Sequence, residues 1–349
     1  MNELRFGLVG HGLWGTHHGR AIARTRGAKL VAVAERAEEG RAAAKAEHPQ
    51  ADVYDDYRKL VARDDIDVVD IVVPSHLHFE VAAAALDSGK HVLVEKPMVL
   101  TVAQCDELIG LARRQGKILA VDHEMRLSIL WGRVKRMIDE GLIGTPLYVL
   151  TELSRFPYRF GSEGWRFDIK RVGSWMLEEP IHFFDLARWY LSDHGEPVSI
   201  YARANSKRPD HPELQDNFSA IINFAGGAYA VISQTLAAFE HHCTVKVTGT
   251  EGAAWAYWSA PDARHAQPTF ALRYITGDDP HQVHEVPFGS VTGEVVELQQ
   301  QIAALLRSVR EGVPPIATAE DGKWAVVLCL AAQRSIDEGR PVEIEEMAG

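Results

Sequence analysis

The stretch Arg5-Phe6-Gly7-Leu8-Val9-Gly10-His11-Gly12-Leu13-Trp14-Gly15 decides the fold. Phe6 to Val9 is a short apolar run, the pattern of a buried strand. It ends in Gly10, Gly12 and Gly15, a literal G-x-G-x-x-G, and Thr16 to Arg26 continues with a helical pattern. Glycine at those positions permits a tight turn, close approach of backbone to a pyrophosphate, and close packing of helix on strand. The helix start offers bare N–H groups and the positive end of a dipole to a phosphate. The next apolar run, Lys29 to Ala34, closes at Glu35, 35 − 10 = 25 residues past the first glycine. An acidic residue near that distance meets the adenosine ribose of a dinucleotide. Gly10, Gly12, Leu13, Trp14, Gly15, Glu35 and Arg36 are therefore candidate cofactor contacts. Glu35 favours NAD, while the Arg36 guanidinium keeps NADP open, since it can pair with a 2′-phosphate.

Outward from this stretch, strand and helix patterns alternate to about residue 122. Val68 to Val73 is an apolar run closed by Pro74. His91 to Val94 ends at Glu95-Lys96-Pro97, and Ile118 to Val121 ends at Asp122-His123. Such alternation predicts right-handed crossovers and a parallel sheet, with ligands beyond the carboxyl ends of the strands. Lys96 stands at one such end, and Pro97 biases it towards an extended backbone. A surface lysine in a loop is the plainer alternative.

After about residues 123–128 the pattern changes. Segments such as Leu147 to Arg155, Val198 to Ala204, Asn217 to Phe224, Tyr229 to Thr235 and Thr269 to Thr276 read as strands in succession, the mark of a mostly antiparallel sheet. A helix, Pro180 to Tyr190, interrupts them, and two late helices follow, about Glu294 to Arg310 and Ala319 to Glu338. The expected class is α/β: a Rossmann dinucleotide-binding domain over 1–124 and an α+β domain with an open sheet over 125–349. The late helices are available to pack back on the first domain.

The 349 residues suffice for about two domains. A net charge of −11 disfavours nucleic acid or an anionic membrane as partner. No run approaches ~18 apolar residues, the length that spans a bilayer. The chain enters its first strand almost at once, which leaves no room for a secretory leader. Cys105, Cys243 and Cys329 are odd in number and widely spaced, so neither a disulfide framework nor a C-x-x-C site is expected. A reduced, cytoplasmic protein follows.

Two further clusters carry chemistry. In Glu178-Glu179-Pro180-Ile181-His182, the glutamates lie at or just before a helix start and His182 in its first turn. Glutamates so placed also suit the helix dipole, and His182 reads equally as a buried structural residue. A ligand set of Glu178, His182 and Asp185 lacks a further histidine or cysteine at diagnostic spacing, so no metal is expected. The pairs His17-His18 and His241-His242 read as structural or surface residues. Arg155, Arg159, Arg166 and Arg171 form a dense basic run with Phe156, Tyr158, Phe160 and Trp165 interleaved. In an acidic protein this suits a substrate pocket or a subunit contact, and an arginine in the pocket would favour an anionic substrate.

Taken together these motifs resemble the glucose–fructose oxidoreductase/inositol dehydrogenase (Gfo/Idh/MocA) family. The features are the Gly10–Gly15 loop, Val73-Pro74-Ser75-x-x-His78, Glu95-Lys96-Pro97, and a glycine-to-Asp185 segment that contains His182. The resemblance covers essentially the whole chain. It implies an oxidoreductase that moves a hydride between NAD (or NADP) and a secondary alcohol of a sugar, sugar derivative or cyclitol, working as a homo-oligomer, dimer or tetramer. It assigns catalysis to Lys96 and His182. Glu178 stands where the family usually has aspartate and Pro180 where it often has glycine, which suggests a subgroup with its own substrate; Glu178 would orient His182 or bind a substrate hydroxyl. Pro74, Ser75, His78, Glu95, Lys96 and Glu124 join the expected cofactor contacts. Lys96, His123, Arg155, Trp165, Arg166, Glu178 and His182 are the expected substrate contacts. Chemically, imidazole with a pKa of about 6.5 suits a base near neutral pH, and a lysine ammonium stabilises a developing alkoxide. The alternatives are an oxidoreductase that never releases its nicotinamide, and a catalytically silent nucleotide-binding sensor. Retention of both Lys96 and His182 speaks against the sensor.

Overall fold

The computed structural model describes residues 3–236, 238 and 240–347. The chain divides into two compact units, one up to Glu124 together with Val295–Lys323, the other Met125–Glu294 together with the segment from Trp324 onward.

The first unit runs β1 (Leu4–Val9), α1 (Leu13–Arg24), β2 (Ala28–Ala34), α2 (Glu38–Glu47), β3 (Asp52–Tyr54), α3 (Tyr57–Val61), β4 (Val68–Ile71), α4 (His78–Asp87), β5 (His91–Glu95), α5 (Val102–Gln115) and β6 (Leu119–Asp122). The six strands form one sheet in the order β3-β2-β1-β4-β5-β6, parallel throughout. The strand order reverses between β1 and β4, and a ligand crevice forms at such a switch point. Phe6, Leu8, Val33, Val68, Leu93 and Ala120 are fully buried, as expected of strands covered on both faces. The helix after the glycine loop starts at Leu13, three residues earlier than its sequence pattern indicated. A Cβ on Gly15 would stand 2.1 Å from Gly10 O, so the last glycine lies inside the helix and lets its first turn press against the strand end.

The second unit opens with α6 (Trp131–Asp139), β7 (Pro146–Ser154), α7 (Ile169–Val172) and α8 (Ile181–Tyr190). There follow β8 (Pro197–Asn205), β9 (Asn217–Phe224), β10 (Tyr229–Thr235), β11 (His241–Gly249), β12 (Gly252–Ala260), β13 (Thr269–Thr276) and β14 (Asp279–Glu285). After α9 (Glu294–Glu311) and α10 (Ala319–Glu338), β15 (Val342–Glu343) completes a nine-stranded sheet in the order β14-β13-β12-β11-β7-β10-β9-β8-β15. All its pairings are antiparallel except β10 with β7. Along β9 and β10 buried and accessible residues alternate strictly, so one face is covered and the other open. The β9–β10 hairpin closes through Phe224 N donating to Ala228 O at 2.9 Å, with Gly227 at φ 87°.

The α9 residues Leu298, Ile302, Leu305 and Leu306 enter the same core as Phe6 and Leu93. That burial explains why 295–323 belongs to the first unit. No helix among the described residues is long and apolar enough to cross a membrane.

Candidate active site

In the first unit the glycine loop is built for close approach. Gly10 has φ 97°, and a Cβ there would stand 2.1 Å from Val72 O, so only glycine fits. Gly12 has nothing within 4 Å of where a Cβ would stand. It caps α1 without a side-chain hydrogen bond, and the first turn of α1 holds no acidic residue. These helix-start amides therefore face an open cradle of positive potential, which fits the pyrophosphate of a dinucleotide.

Glu35 ends β2 beside this loop. Its Oε2 accepts from His11 N at 2.7 Å and its Oε1 from Ala37 N at 2.8 Å. Both oxygens are thereby aimed, and each keeps a lone pair for a ribose hydroxyl. Arg36 is exposed; its carbonyl accepts from the Arg41 guanidinium. Leu13 is exposed and Trp14 half-buried.

The neighbouring strand ends supply the remaining candidates. Pro74 and Ser75 turn the chain into α4, where His78 is buried. The His78 ring nitrogens lie 2.7 Å from Pro97 O and 2.8 Å from Val73 O, which ties the β4 turn to the β5 turn. Lys96 is half-buried just past β5, and its peptide bond to Pro97 is cis. His123 and Glu124 follow β6 and are both buried.

Beneath these turns is a polar group that no motif announced. His18 of α1 places Nδ1 2.9 Å from Asp70 Oδ2 and Nε2 3.0 Å from Glu95 Oε1. Asp122 Oδ2 lies 3.4 Å from the same Nε2. Trp14 Nε1 donates to Glu95 Oε1, and Lys96 N donates to Glu95 Oε2 at 3.0 Å. All four ionisable residues are buried. Burial alone would lower the His18 pKa, but the charge and hydrogen bond of Asp70, the Glu95 hydrogen bond and the Asp122 charge outweigh it and lift it well above the ordinary value. Burial works against ionisation of Glu95 too. The His18 hydrogen bond and charge, the Lys96 charge and the Trp14 hydrogen bond overcome it and hold Glu95 at about 2. Burial, then the Glu95 charge, pushes Asp122 well above the ordinary carboxyl value. The carboxyl groups around His18 thus favour its protonated form against the cost of burial. The available signal was Asp70, one charge inside the apolar run Val68 to Val73.

In the second unit, Glu178, Glu179 and Pro180 lead directly into α8, with Pro180 as its cap. His182 is buried in the first helical turn, and its N–H donates to Glu179 O at 3.2 Å. Neither glutamate enters the first turn as a dipole acid. Each meets an arginine instead. Arg166 Nε donates to Glu178 Oε2 at 3.0 Å, and Arg155 pairs with Glu179. His241 Nε2 lies 2.9 Å from the other Glu179 oxygen. Arg155 also covers the Tyr158 ring at 4.7 Å, and Arg166 the Trp165 ring at 4.4 Å. Trp165 is buried with Tyr158, Phe167, Val172 and Trp175 in one cluster, so the interleaved aromatics are a local core on which the arginines lie. Tyr158 OH donates to Gln234 Oε1 at 3.1 Å, and burial pushes its phenol up.

Asp185, a member of the alternative metal set, is fully engaged elsewhere. Its two oxygens accept from Arg126 Nε at 2.8 Å and Nη2 at 2.6 Å, both residues being buried. Among the described residues, the groupings close enough to hold a cation are His11 with Glu47 and His48, and His18 with Glu95 and Asp122. Neither includes Glu178, His182 or Asp185.

Known proteins place this arrangement. Residues 4–123 match the model of the Gfo/Idh/MocA oxidoreductase family, NAD-binding Rossmann fold, and residues 131–255 match the family's C-terminal domain. The chain is 27% identical over 352 residues to myo-inositol 2-dehydrogenase from Thermotoga maritima, which covers 99% of this chain and 100% of the relative. It is 30% identical over 240 residues to the uncharacterized oxidoreductase YdgJ of Escherichia coli, 68% of this chain and 67% of the relative. Its fold matches that of aldose-aldose oxidoreductase from Caulobacter crescentus, solved with glycerol, at a TM-score of 0.84 and 22% identity over 98% of this chain and 100% of that one.

Proposed function

The chain belongs to the Gfo/Idh/MocA oxidoreductase family with its NAD-binding Rossmann fold, and on that premise we propose that it is a dehydrogenase acting on a secondary alcohol of a sugar, sugar derivative or cyclitol. The observation that carries the reading is the pairing of an open glycine cradle with a Glu35 carboxylate aimed by two backbone amides. The full-length similarity to a myo-inositol 2-dehydrogenase supports a polyol substrate. Glu35 supports NAD over NADP, because a carboxylate accepts from a ribose 2′-hydroxyl and repels a 2′-phosphate.

In this reading residues 1–124 hold the dinucleotide and 125–349 supply the substrate side. Bound NAD contributes the nicotinamide, which accepts the hydride. His182 takes the hydroxyl proton as general base. Lys96 donates a hydrogen bond to the same oxygen as negative charge builds on it. Glu178, anchored by Arg166, binds a neighbouring substrate hydroxyl or orients His182. The protein works as a homo-oligomer through the open face of the large sheet. Tyr148, Tyr229, Ile221 and Trp255 share that face in register and are all accessible. An open face that carries accessible aromatic side chains suits a subunit contact. Cys105, Cys243 and Cys329 are buried free thiols, which supports a cytoplasmic home.

The test is a screen of purified protein against sugars, glycosides, sugar acids and inositols, with NAD and NADP each supplied. Reduction of NAD by at least one polyol is expected. Tight NAD binding without reduction by any of them would favour the silent sensor.

A further inference from the structure

Gly19 stands in the middle of α1, outside the glycine motif, where glycine weakens a helix relative to alanine. A neighbouring ring accounts for it. A Cβ on Gly19 would stand 2.6 Å from Nε2 of His48, the residue that closes α2. The helix therefore leaves room for this imidazole. His48 meets a second imidazole, His11 of the glycine loop, with ring centroids 5.6 Å apart and planes at 89°. Glu47, the last residue of α2, puts Oε2 3.8 Å from His11 Nε2. The three side chains each bring one ligand atom to within 4.8 Å of the others. We propose that His11, Glu47 and His48 bind a divalent transition-metal ion of the zinc class, which staples the glycine loop to the end of α2.

Both imidazoles are deeply buried, His11 at 3% exposure and His48 at 8%. Among the described residues, neither ring nitrogen of His11 has a hydrogen-bond partner, nor has Nε2 of His48. Buried polar atoms are ordinarily paired, and a metal ion satisfies an imidazole nitrogen as a hydrogen bond does. Burial also lowers the pKa of each ring, against the charge of Glu47, and neutral imidazole is the form that ligates. Bonds of about 2.0–2.1 Å in a tetrahedron set ligand atoms roughly 3.4 Å apart, so His11 and Glu47 close on an ion with a small side-chain adjustment. Two imidazoles and a carboxylate suit zinc, cobalt or nickel, whereas magnesium and calcium favour oxygen ligands throughout. The Glu47 side chain is 25% accessible, which gives an ion an entry path and admits water as a fourth ligand. Glu47 Oε1 accepts from Arg20 Nε, so a guanidinium competes with the ion for this carboxylate. The site shares no residue with Glu178, His182 and Asp185. It bears instead on the dinucleotide side, because His11 N donates to Glu35 Oε2 at 2.7 Å.

The test needs no turnover. Tag-free, chelator-treated full-length protein is titrated with Co²⁺, read by visible absorption, and with Zn²⁺, read by calorimetry and by Tm. One bound equivalent is expected, with the intense visible bands of four-coordinate cobalt. Zn²⁺ should raise Tm, since a ligand that binds only the folded chain stabilises it. His48→Gln and His11→Ala should each weaken binding at least about tenfold, the lower end of what even an outer-shell partner is worth. Arg20→Gln removes the cation that holds Glu47 and should tighten binding severalfold. A folding defect cannot imitate that gain, so Arg20→Gln decides the matter if a histidine variant does not fold. His18→Gln breaks the separate grouping of His18, Glu95 and Asp122 and should leave the cobalt bands in place. Absence of a bound equivalent, binding unchanged in His48→Gln, weaker binding in Arg20→Gln, or bands lost in His18→Gln would each overturn the proposal.

Discussion

Arg166 Nε donates to Glu178 Oε2 at 3.0 Å, so the guanidinium best placed to attract an anionic substrate is already paired. Arg155 is paired with Glu179 in the same way, and Arg171 Nε with Asp168 at 3.0 Å. Three of the four arginines in the run therefore make ion pairs within the chain. A neutral polyol fits this balance better than a sugar acid. Glu178→Gln removes the compensating charge and leaves Arg166 able to bind a carboxylate. The ratio of kcat/KM for sugar acids over neutral sugars should rise about tenfold, the worth of one charge-assisted hydrogen bond. An unchanged ratio would return Glu178 to a purely structural role.

Glu35 aims its carboxylate through His11 N and Ala37 N. Glu35→Ser removes the ribose acceptor and the repulsion of a 2′-phosphate, and it leaves exposed Arg36 to meet that phosphate. The preference for NAD over NADP, measured as a ratio of kcat/KM, should fall by at least about tenfold, roughly 1.4 kcal/mol. If wild type already prefers NADP, the cofactor assignment is wrong.

Asp185 and Arg126 form a bidentate pair at 3–5% exposure, with the guanidinium 5.2 Å from the Trp189 ring. Removing one partner strands a buried charge. Asp185→Asn should cost about 3–5 kcal/mol in urea unfolding, far more than any change at the exposed Arg113. A loss within the range of ordinary surface substitutions would contradict the burial of this pair.

His18 has a folded-state pKa raised well above 6.5. The folded protein then keeps a proton that the unfolded chain loses as pH climbs past that value. The stability His18 contributes is complete below about pH 6.5 and falls as pH rises towards the folded pKa, by up to ~1.4 kcal/mol per pH unit. Asp122, also raised, pulls in the same direction from its unfolded value upward. Urea titrations at pH 6 to 9 should show wild type losing stability more steeply than His18→Gln. Parallel curves would mean that His18 is neutral in the fold.

Trp255 is 45% exposed on the open sheet face, with the Lys246 ammonium 5.3 Å from its ring. A homo-oligomer that uses this face should not tolerate a charge at its centre. Trp255→Asp should shift sedimentation from oligomer to monomer without loss of helix content, since buried charge at an interface is strongly unfavourable. An oligomer indifferent to this change uses another surface.

Much of this was legible in the residues because each motif is local. Glycine at 10, 12 and 15 answers to steric needs within one turn, and Phe6 to Val9 to a sheet covered on both faces. The strand run after residue 146 showed through strict alternation. β14, with the sequence Asp279-Pro280-His281-Gln282-Val283-His284-Glu285, did not, because it carries no alternating apolar pattern. β15 has two residues, too few to show any period. The His18 group was hidden for a different reason. Its members lie at positions 18, 70, 95 and 122, and only the sheet order brings them together. Likewise, Glu178 and Glu179 read equally as helix-start acids until the fold returned Arg166 and Arg155 to them.

The central claim is that Lys96 and His182 act on one reacting hydroxyl, and single-turnover hydride transfer measured beside an NAD titration tests it most directly. Loss of a general base typically costs ~10²–10⁴-fold in rate, so His182→Ala should fall in that range while its affinity for NAD stays near normal. Lys96→Ala should be at least as slow, because each group acts chiefly as charge moves in the transition state. Full turnover in either variant would contradict the assignment, and lost NAD binding with intact chemistry would make that residue a cofactor ligand instead.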